Sequence, residues 1–466
     1  MKPIVLVLAA LALGGCVQGP NYKRPQVALP GGFRGAPAPG GDPSASIADT
    51  KWQDLFPDPI LNQMVATALK QNFDLLIASE RVQEARAQLG ITRANQYPNL
   101  QAQVGFTATQ PSSAGSNTFV TPGTNLASSY SSVGLALSWE LDIWGRLKRQ
   151  TEAARALYLA SEEGRRAVGV SLVSDVMDAY FQLLEQDLEL EISRKTQGIA
   201  QDSLKLVELR RQRGAASGLD VRQAEQLLYT AGVQIAAAER AIAQSENLIS
   251  LLQGNVPSGQ ARGRKLEEIP IPGRLSPGLP ATLLARRPDI REAEQNLVAA
   301  NAQIGAARAL YFPQLSLNAF IGSQARGLSN ISSSAARVYN VAPAAVQTIF
   351  DAGQIRNTVR LTQAQKRELV VAYQKSIYSA LREVADALIA FDRLREQRTQ
   401  EENLVRTLEE TVRLSELRYR GGLDSYLQVL DAQRNLFNGQ LALAQLRLQE
   451  RVSVVQLYRA LGGGWS

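Results

Sequence analysis

Two stretches of the chain alternate apolar and polar residues at period two. Leu100, Ala102, Val104, Phe106 and Ala108 interleave with Gln101, Gln103, Gly105, Thr107 and Thr109. Val133, Leu135, Leu137, Trp139 and Leu141 interleave with Gly134, Ala136, Ser138, Glu140 and Asp142. Each predicts a strand with one apolar face. A weaker version recurs at Leu315, Leu317, Ala319 and Ile321, and again near Val338 to Phe350, a segment that contains Pro343. Elsewhere the period is helical. Proline is absent from Gly123 to Val256 and from Ala344 to Ser466, 134 and 123 residues in a chain with 20 prolines, so long helices can run there unbroken. In the first, Ala179, Leu183, Gln186, Leu190, Ser193, Gln197, Ala200, Leu204 and Val207 keep heptad spacing; Ala387, Phe391, Leu394, Arg398, Glu401, Val405, Leu408, Val412 and Ser415 do so in the second. Such spacing predicts side-by-side helices, and the polar members suit shallow packing in a wall with a wet face. A helix from Gly145 to Arg213 is about 100 Å long at 1.5 Å per residue. Each rod ends at a Gly-containing turn, Arg213 to Gly218 and Gly421 to Ser425, so two helical hairpins are expected. The fold class is mainly α with a small β part.

The two sets are copies of one unit. Residues 72 to 100 align with 287 to 315 at an offset of 215, and ten of those 29 positions are identical, among them Asp74 and Asp289, Gly90 and Gly305, and Pro98 and Pro313. Further along the offset is 208, pairing Gly145 with Gly353, Glu208-Leu209-Arg210 with Glu416-Leu417-Arg418, and Gly214 and Ser217 with Gly422 and Ser425. The seven residues lost between Pro313 and Gly353 belong in a surface loop, where length changes are tolerated. The expected division is a leader over 1–15, an extended tether over 16–51, a first repeat over 52–253 with strand pair 98–142 and hairpin 145–253, a linker region over 254–286, and a second repeat over 287–466 with a helix, strand pair 313–351 and hairpin 353–461. Asp58-Pro59 reads as a helix N-cap followed by proline at the first helical position, with order beginning near Trp52.

Lys2, the apolar run Ile4 to Leu13 and then Leu13-Gly14-Gly15-Cys16 have the layout of a signal peptide. With cysteine directly after the small residues it resembles the lipobox of bacterial lipoproteins, which implies cleavage and acylation at Cys16; the alternative is an ordinary signal peptide with an incidental cysteine. Val17 follows where lipoproteins retained in the inner membrane often carry Asp, which implies the outer membrane. Beyond the leader no run of about 18 apolar residues stands out as a spanning helix. The predicted strands are near the 9 to 11 residues that cross a bilayer, although a half-buried sheet of a soluble domain would show the same alternation. Four strands are too few to close a transmembrane barrel, so several chains have to share one.

Composition then excludes chemistry. The chain of 466 residues has no histidine and one cysteine, Cys16, which leaves no His triad, no Cys/His zinc site and no intrachain disulfide. Fifty basic and 43 acidic residues give a formal charge of +7 spread over a mixed surface, which is no nucleic-acid stripe. Gly-Lys never occurs, so a P-loop is missing, and there is no Gly-x-Ser-x-Gly elbow. No catalytic residue, cofactor or metal is expected, only a covalent lipid at Cys16.

Arg286-Arg287-Pro288-Asp289-Ile290-Arg291-Glu292-Ala293-Glu294, Ile304-Gly305 and Phe312-Pro313 resemble the signature of outer-membrane efflux lipoproteins of the OprM/NodT type, relatives of TolC. Pro20-Asn21-Tyr22-Lys23-Arg24-Pro25, Trp52-Gln53-Asp54-Leu55-Phe56 and Leu461-Gly462-Gly463-Gly464-Trp465 extend the likeness over essentially the whole mature chain. The resemblance implies a homotrimer in the bacterial outer membrane. Each protomer gives four strands to a shared transmembrane β-barrel, and the hairpins form a periplasmic α-barrel. It implies a passive exit duct served by a periplasmic adaptor and an inner-membrane pump of the resistance-nodulation-division type, with no enzymatic activity and no nucleic acid. The tips that meet the adaptor correspond to Gly214, Ala215, Ala216 and Ser217 and to Gly422, Leu423, Asp424 and Ser425; glycine there also fits a plain helix-ending turn. The family's acidic constriction reads Gln428-Val429-Leu430-Asp431-Ala432 here, so Asp431 matches and Gln428 departs. Tyr419 matches a gate tyrosine of TolC, while Asp424 stands where TolC has arginine. A ring of Asp431 carboxylates would favour cations and need balance from bound cations, protonation, or Arg418 and Arg420. The competing readings are a lipid-anchored adaptor with its own coiled-coil hairpin, which would carry one hairpin among β-rich domains, and a lipoprotein hydrolase.

Overall fold

The computed structural model describes residues 17–36, 46–110, 127–272 and 275–463. Cys16, the leader and residues 111–126 between the first two predicted strands lie outside the described residues. The chain forms two compact units, and each draws segments from both halves of the sequence.

The first unit combines Met1–Pro25, Val82–Ala160 and Ala293–Ala372. Its centre is an antiparallel sheet of β1 (Asn99–Thr109), β2 (Ser128–Leu141), β3 (Gln314–Ala325) and β4 (Arg337–Val346), in the order β1-β2-β3-β4. Register explains the two faces, because directly opposed residues point the same way. Leu100 faces Leu137, Leu137 faces Ala319, and Ala319 faces Val341, giving an apolar row. Asn99, Ser138, Asn318 and Ala342 make a row on the other face. Nothing among the described residues covers the apolar face: Val104 is 82%, Phe106 69% and Tyr339 80% exposed. Among the described residues β1 and β4 each leave one edge unpaired. Pro343 sits on the outer strand β4, where a missing N–H disturbs the ladder least. That strand stops at Val346, short of the expected Phe350, because Asp351 turns the chain into a helix by accepting from the N–H groups of Gly353 (2.8 Å) and Ile355 (2.7 Å). At the other pair Asp142 does the same for Leu147 and Lys148 (3.0 and 2.7 Å). Trp144 stacks on Phe312 at 4.7 Å and donates to Pro313 O at 2.8 Å.

The segment after Cys16 is more firmly held than a tether. It contains no helix or strand to Pro25, as its prolines and glycines predict, but its polar side chains anchor it. Arg24 makes two bonds of 2.7 Å to Glu294, Tyr22 donates to the same carboxylate, and Arg149, 5% exposed, reaches Gln18 O and Asn21 Oδ1. Asn301 donates to Pro20 O at 2.8 Å. Order therefore begins well before Trp52, because Asn21, Tyr22 and Arg24 supply bonds that a strap without secondary structure cannot make to itself.

The second unit combines Gln26–Arg81, Ser161–Glu292 and Tyr373–Ser466. Helices α1 (Trp52–Leu55) and α2 (Pro59–Gln71) open it, and α6 (Leu283–Arg286) is a single turn. Helices α3 (Phe73–Ala94) and α7 (Pro288–Ala309) are 22 residues each and divide between the units, as do α4 (Arg146–Gln212) and α8 (Gln354–Arg420), 67 each. Helices α5 (Gly218–Leu252) and α9 (Tyr426–Ala460) have 35 each and complete the two hairpins. Partner helices match in length to the residue, while the length difference between copies falls between the paired strands.

Asp58 joins three segments of this unit. Fully buried, it accepts from Ile60 N (2.8 Å) and Leu61 N as the N-cap of α2, from Tyr180 Oη at 2.9 Å and from Arg264 N at 3.1 Å. Arg287 does comparable work at the start of α7. It is 8% exposed, forks onto Asp289 (3.0 and 2.6 Å), and reaches Glu383 Oε2 at 2.7 Å and Ala460 O at 2.9 Å. The arginine of the signature is a structural clasp.

The heptad residues of both rods face inward, and none is exposed. One 18-residue window of α4 is apolar enough to cross a membrane by composition, contrary to the expectation of none, but 61% of it is buried within the chain, as befits a core helix. The polar members of the seam carry its electrostatic cost. Ser193 Oγ caps its own turn at Glu189 O (2.7 Å), and Gln186 Oε1 is buried without a partner. Asp178 accepts from Gln456 Nε2 at 2.7 Å with its Oδ1 buried and unpartnered. Burial pushes its carboxyl up to about 7, against the Gln456 bond and Arg459, with Asp175 adding to the rise. Burial and then the neighbouring Glu189 likewise raise Glu185.

Two predictions follow from these packed groups. Asp58→Ala strands the Tyr180 hydroxyl and three backbone N–H groups and is expected to cost about 2–4 kcal/mol, one cap plus one or two unsatisfied buried donors; the thermal midpoint of the detergent-solubilised protein checks it, with Asp58→Asn milder. Because Asp178 and Glu185 are held above their usual values, their contribution is present in acid and lost as pH rises through the folded-state value. Thermal midpoints should fall from about pH 5 to about pH 8, and Asp178→Asn should flatten the decline.

Candidate functional site

The hairpin turns are built alike. Gly214 adopts φ +74° and Gly422 φ +73°, the left-handed region open to glycine. In each turn the following N–H reaches back to close the helix: Ala215 N to Arg210 O at 2.8 Å, and Leu423 N to Arg418 O at 2.9 Å. A Cβ added at either glycine would meet nothing within 4 Å, so the backbone conformation alone demands it. Ser217 starts α5 with a capping box, receiving Asp220 N while Asp220 accepts from Ser217 N at 2.7 Å. Ser425 occupies the N-cap of α9 without a side-chain cap bond. Gly214, Ala215, Ser217, Gly422, Leu423 and Ser425 are exposed, while Ala216 and Asp424 are half-buried.

The tips differ in how their equivalent arginines are used. Arg418 forks onto Asp424 at 2.6 and 3.1 Å, closing its own turn and holding the Asp424 carboxyl below the usual carboxylate range. Arg210, its counterpart, instead lies 4.4 Å from the centre of the Tyr419 ring and donates to Tyr419 O, tying one hairpin to the other. Tyr419 is 8% exposed, meets the Tyr426 ring edge-on at 5.5 Å and joins a core of Ala200, Val207, Val221, Ala224, Leu227, Val429 and Leu430. Burial raises both phenols, that of Tyr426 to about 12, so both stay neutral.

The proposed gate residues are therefore not one cluster. Gln428 and Asp431 are exposed, one turn apart on α9, and Asn435 donates to Asp431 Oδ2 at 3.2 Å. Tyr419 belongs to the packed seam. Arg418 is committed to Asp424, and Arg420 lies 3.6 Å from Glu416, so neither balances Asp431 within the protomer. The tips also include Arg210, known from the sequence only as a repeated position, and the exposed Leu219 (66%) and Leu427 (50%) beside the turns. The duplication carried the signal for the leucines, since 208 residues separate them.

The comparisons with known proteins agree with this architecture. The family model described as "Outer membrane efflux protein" matches residues 64–255 and 279–463. The "Toluene efflux pump outer membrane protein TtgI" of Pseudomonas putida is 39% identical over 464 residues, covering 99% of this chain and 98% of the relative. The "Probable outer membrane lipoprotein SilC" of Salmonella typhimurium is 36% identical over 457 residues, covering 97% and 96%. The solved structure described as "Structural insights of the outer-membrane channel OprN" superposes with a TM-score of 0.88 at 30% identity, over 97% of this chain and all of that one. With uncovered strands, paired hairpins and a likeness running almost end to end, the chain belongs to the outer membrane efflux proteins, non-enzymatic channels of bacterial efflux pumps whose strands sit in the outer membrane and whose helical part is periplasmic.

Proposed function

We propose that three copies of this chain form the passive exit duct of a tripartite pump. The observation that carries the reading is the four-stranded sheet with an exposed apolar face and two unpaired edges, which suits a segment of a larger barrel embedded in lipid. Three such sheets give twelve strands, above the minimum of about eight. The β-barrel is lined by the polar face, and the duplicated hairpins wall a periplasmic tunnel of quasi-sixfold symmetry.

The tips at Gly214 to Ser217 and Gly422 to Ser425 meet the adaptor. Their exposed backbone and the neighbouring Leu219, Leu423 and Leu427 offer apolar contact around a rigid turn. The inner-membrane pump, of the resistance-nodulation-division type, supplies energy and most of the selectivity. The name of TtgI supports neutral aromatic solvents among the cargo. Cys16 carries the lipid anchor. The name of SilC supports this, as does the docked strap from Gln18 to Arg24, which holds the chain just after Cys16 against α4 and α7. Asp431 lines the periplasmic constriction, where three carboxylates near one axis attract cations and disfavour anions. Gln428 adds an uncharged polar ring one turn away, and Tyr419 sets the hairpin spacing from inside the seam.

Reconstituted in planar bilayers, the assembly is expected to conduct, and Asp431→Ala to reduce its preference for cations and raise its resting conductance. Unchanged selectivity and conductance would remove Asp431 from the gate; absence of any channel would overturn the duct. Intact mass of protein from outer membranes should show cleavage before Cys16 plus acyl chains, both lost in Cys16→Ser.

A further inference from the structure

The polar face of the sheet is almost free of charge. Among its strand residues only Glu140 is charged at neutral pH, and Arg146 holds it through bonds of 2.9 and 2.5 Å. The remainder of the face is mostly amide, hydroxyl and small side chains, with one large ring at mid-sheet, Phe320. That ring lies over two glycines: a Cβ added at Gly134 or Gly322 would stand 2.7 or 3.0 Å from its Cζ. A side chain at either position would meet the ring and, closer still, the backbone of the neighbouring strand. Beside it is a hollow of about 230 Å³ lined by Asn99, Gln101, Ser138, Asn318, Phe320 and Asn340. The four amide side chains there make no hydrogen bond to protein among the described residues, so their donors and acceptors are available to a solute.

We infer that this hollow is a transit site for small neutral solutes with a single aromatic ring, which stack against Phe320 and exchange hydrogen bonds with the amides of Gln101, Asn318 and Asn340. The volume is below the roughly 300–1,000 Å³ that drug-sized ligands occupy, which limits the occupant to about one ring. The absence of an uncommitted charge removes the means of holding an ion. An open hollow with one aromatic wall binds weakly, as a conducting pathway requires: a solute must enter readily and leave as readily. The inference rests on the exit-duct reading, because only in a closed barrel does this face line the lumen.

The test uses the full-length assembly in planar bilayers, with benzyl alcohol as probe and cyclohexylmethanol as the saturated control of similar size. Benzyl alcohol at millimolar concentration is expected to add open-channel current noise or reduce the conductance of the wild-type channel, and cyclohexylmethanol to act more weakly. Phe320→Leu, which keeps an apolar cover over the glycines, and Phe320→Ala should weaken the benzyl alcohol effect about threefold to tenfold, the range of one aromatic contact. Gln101→Ala, outside the packing of the ring, should weaken it less and supplies the comparison if a Phe320 variant does not assemble. A conducting channel on which benzyl alcohol acts equally in wild type and variants, or has no effect in wild type, overturns the transit site and leaves the duct standing. Failure of the wild type to conduct at all overturns both.

Discussion

A β-strand must place its backbone N–H and C=O groups somewhere, and in lipid the only partner is another strand. Among the described residues the four strands satisfy that demand for β2 and β3 and leave one edge each of β1 and β4 open. Their register concentrates Leu100, Leu137, Ala319 and Val341 on a face that no helix among the described residues covers. A water-soluble monomer with such a face and such edges would aggregate. In the proposed trimer, lipid would cover the face and further copies would close the edges, and a lumen with a polar lining would follow.

The helical part obeys a different constraint. Single-layer walls built from long rods cannot have a dry core, and the seam of this chain is correspondingly mixed. Ala179, Leu183 and Val207 alternate with Gln186 and Ser193, and half-buried Asp178 has one buried oxygen unpartnered. The cost is spread along 67-residue helices whose ends are fixed by local chemistry: Asp142 and Asp351 at the starts, glycine turns at the tips. At the tips the duplication is not an exact symmetry. Arg210 reaches across to Tyr419 while Arg418 closes on Asp424, so the two hairpins share a backbone plan and differ in their contacts.

Much of the architecture was legible because its signals are local and periodic. Alternation marked β1 and β2, the lack of proline marked the long helices, and Asp58-Pro59 marked the start of α2. The self-alignment anticipated matching helices and placed the length change between strands. What escaped depended on partners distant in sequence. The strap from Gln18 to Arg24 looks loose until Glu294, Arg149 and Asn301 are beside it. Arg287 looks like a signature residue until Glu383 and Ala460 surround it. Tyr419, matched to a gate tyrosine in sequence, is buried beside Arg210 and Tyr426, neighbours that a one-dimensional match does not show. The end of β4 was overrun by four residues, since apolar Ile349 and Phe350 continue the pattern while Asp351 turns the backbone away.

Edge closure is the claim on which the account stands, and amide hydrogen exchange of the lipid-reconstituted assembly tests it most directly. If copies join β1 to β4, the amides of both outer strands are protected to the same degree as those of β2 and β3, in a particle whose native mass is three chains. Rapid exchange confined to β1 and β4, in a particle with the mass of one chain, would contradict it.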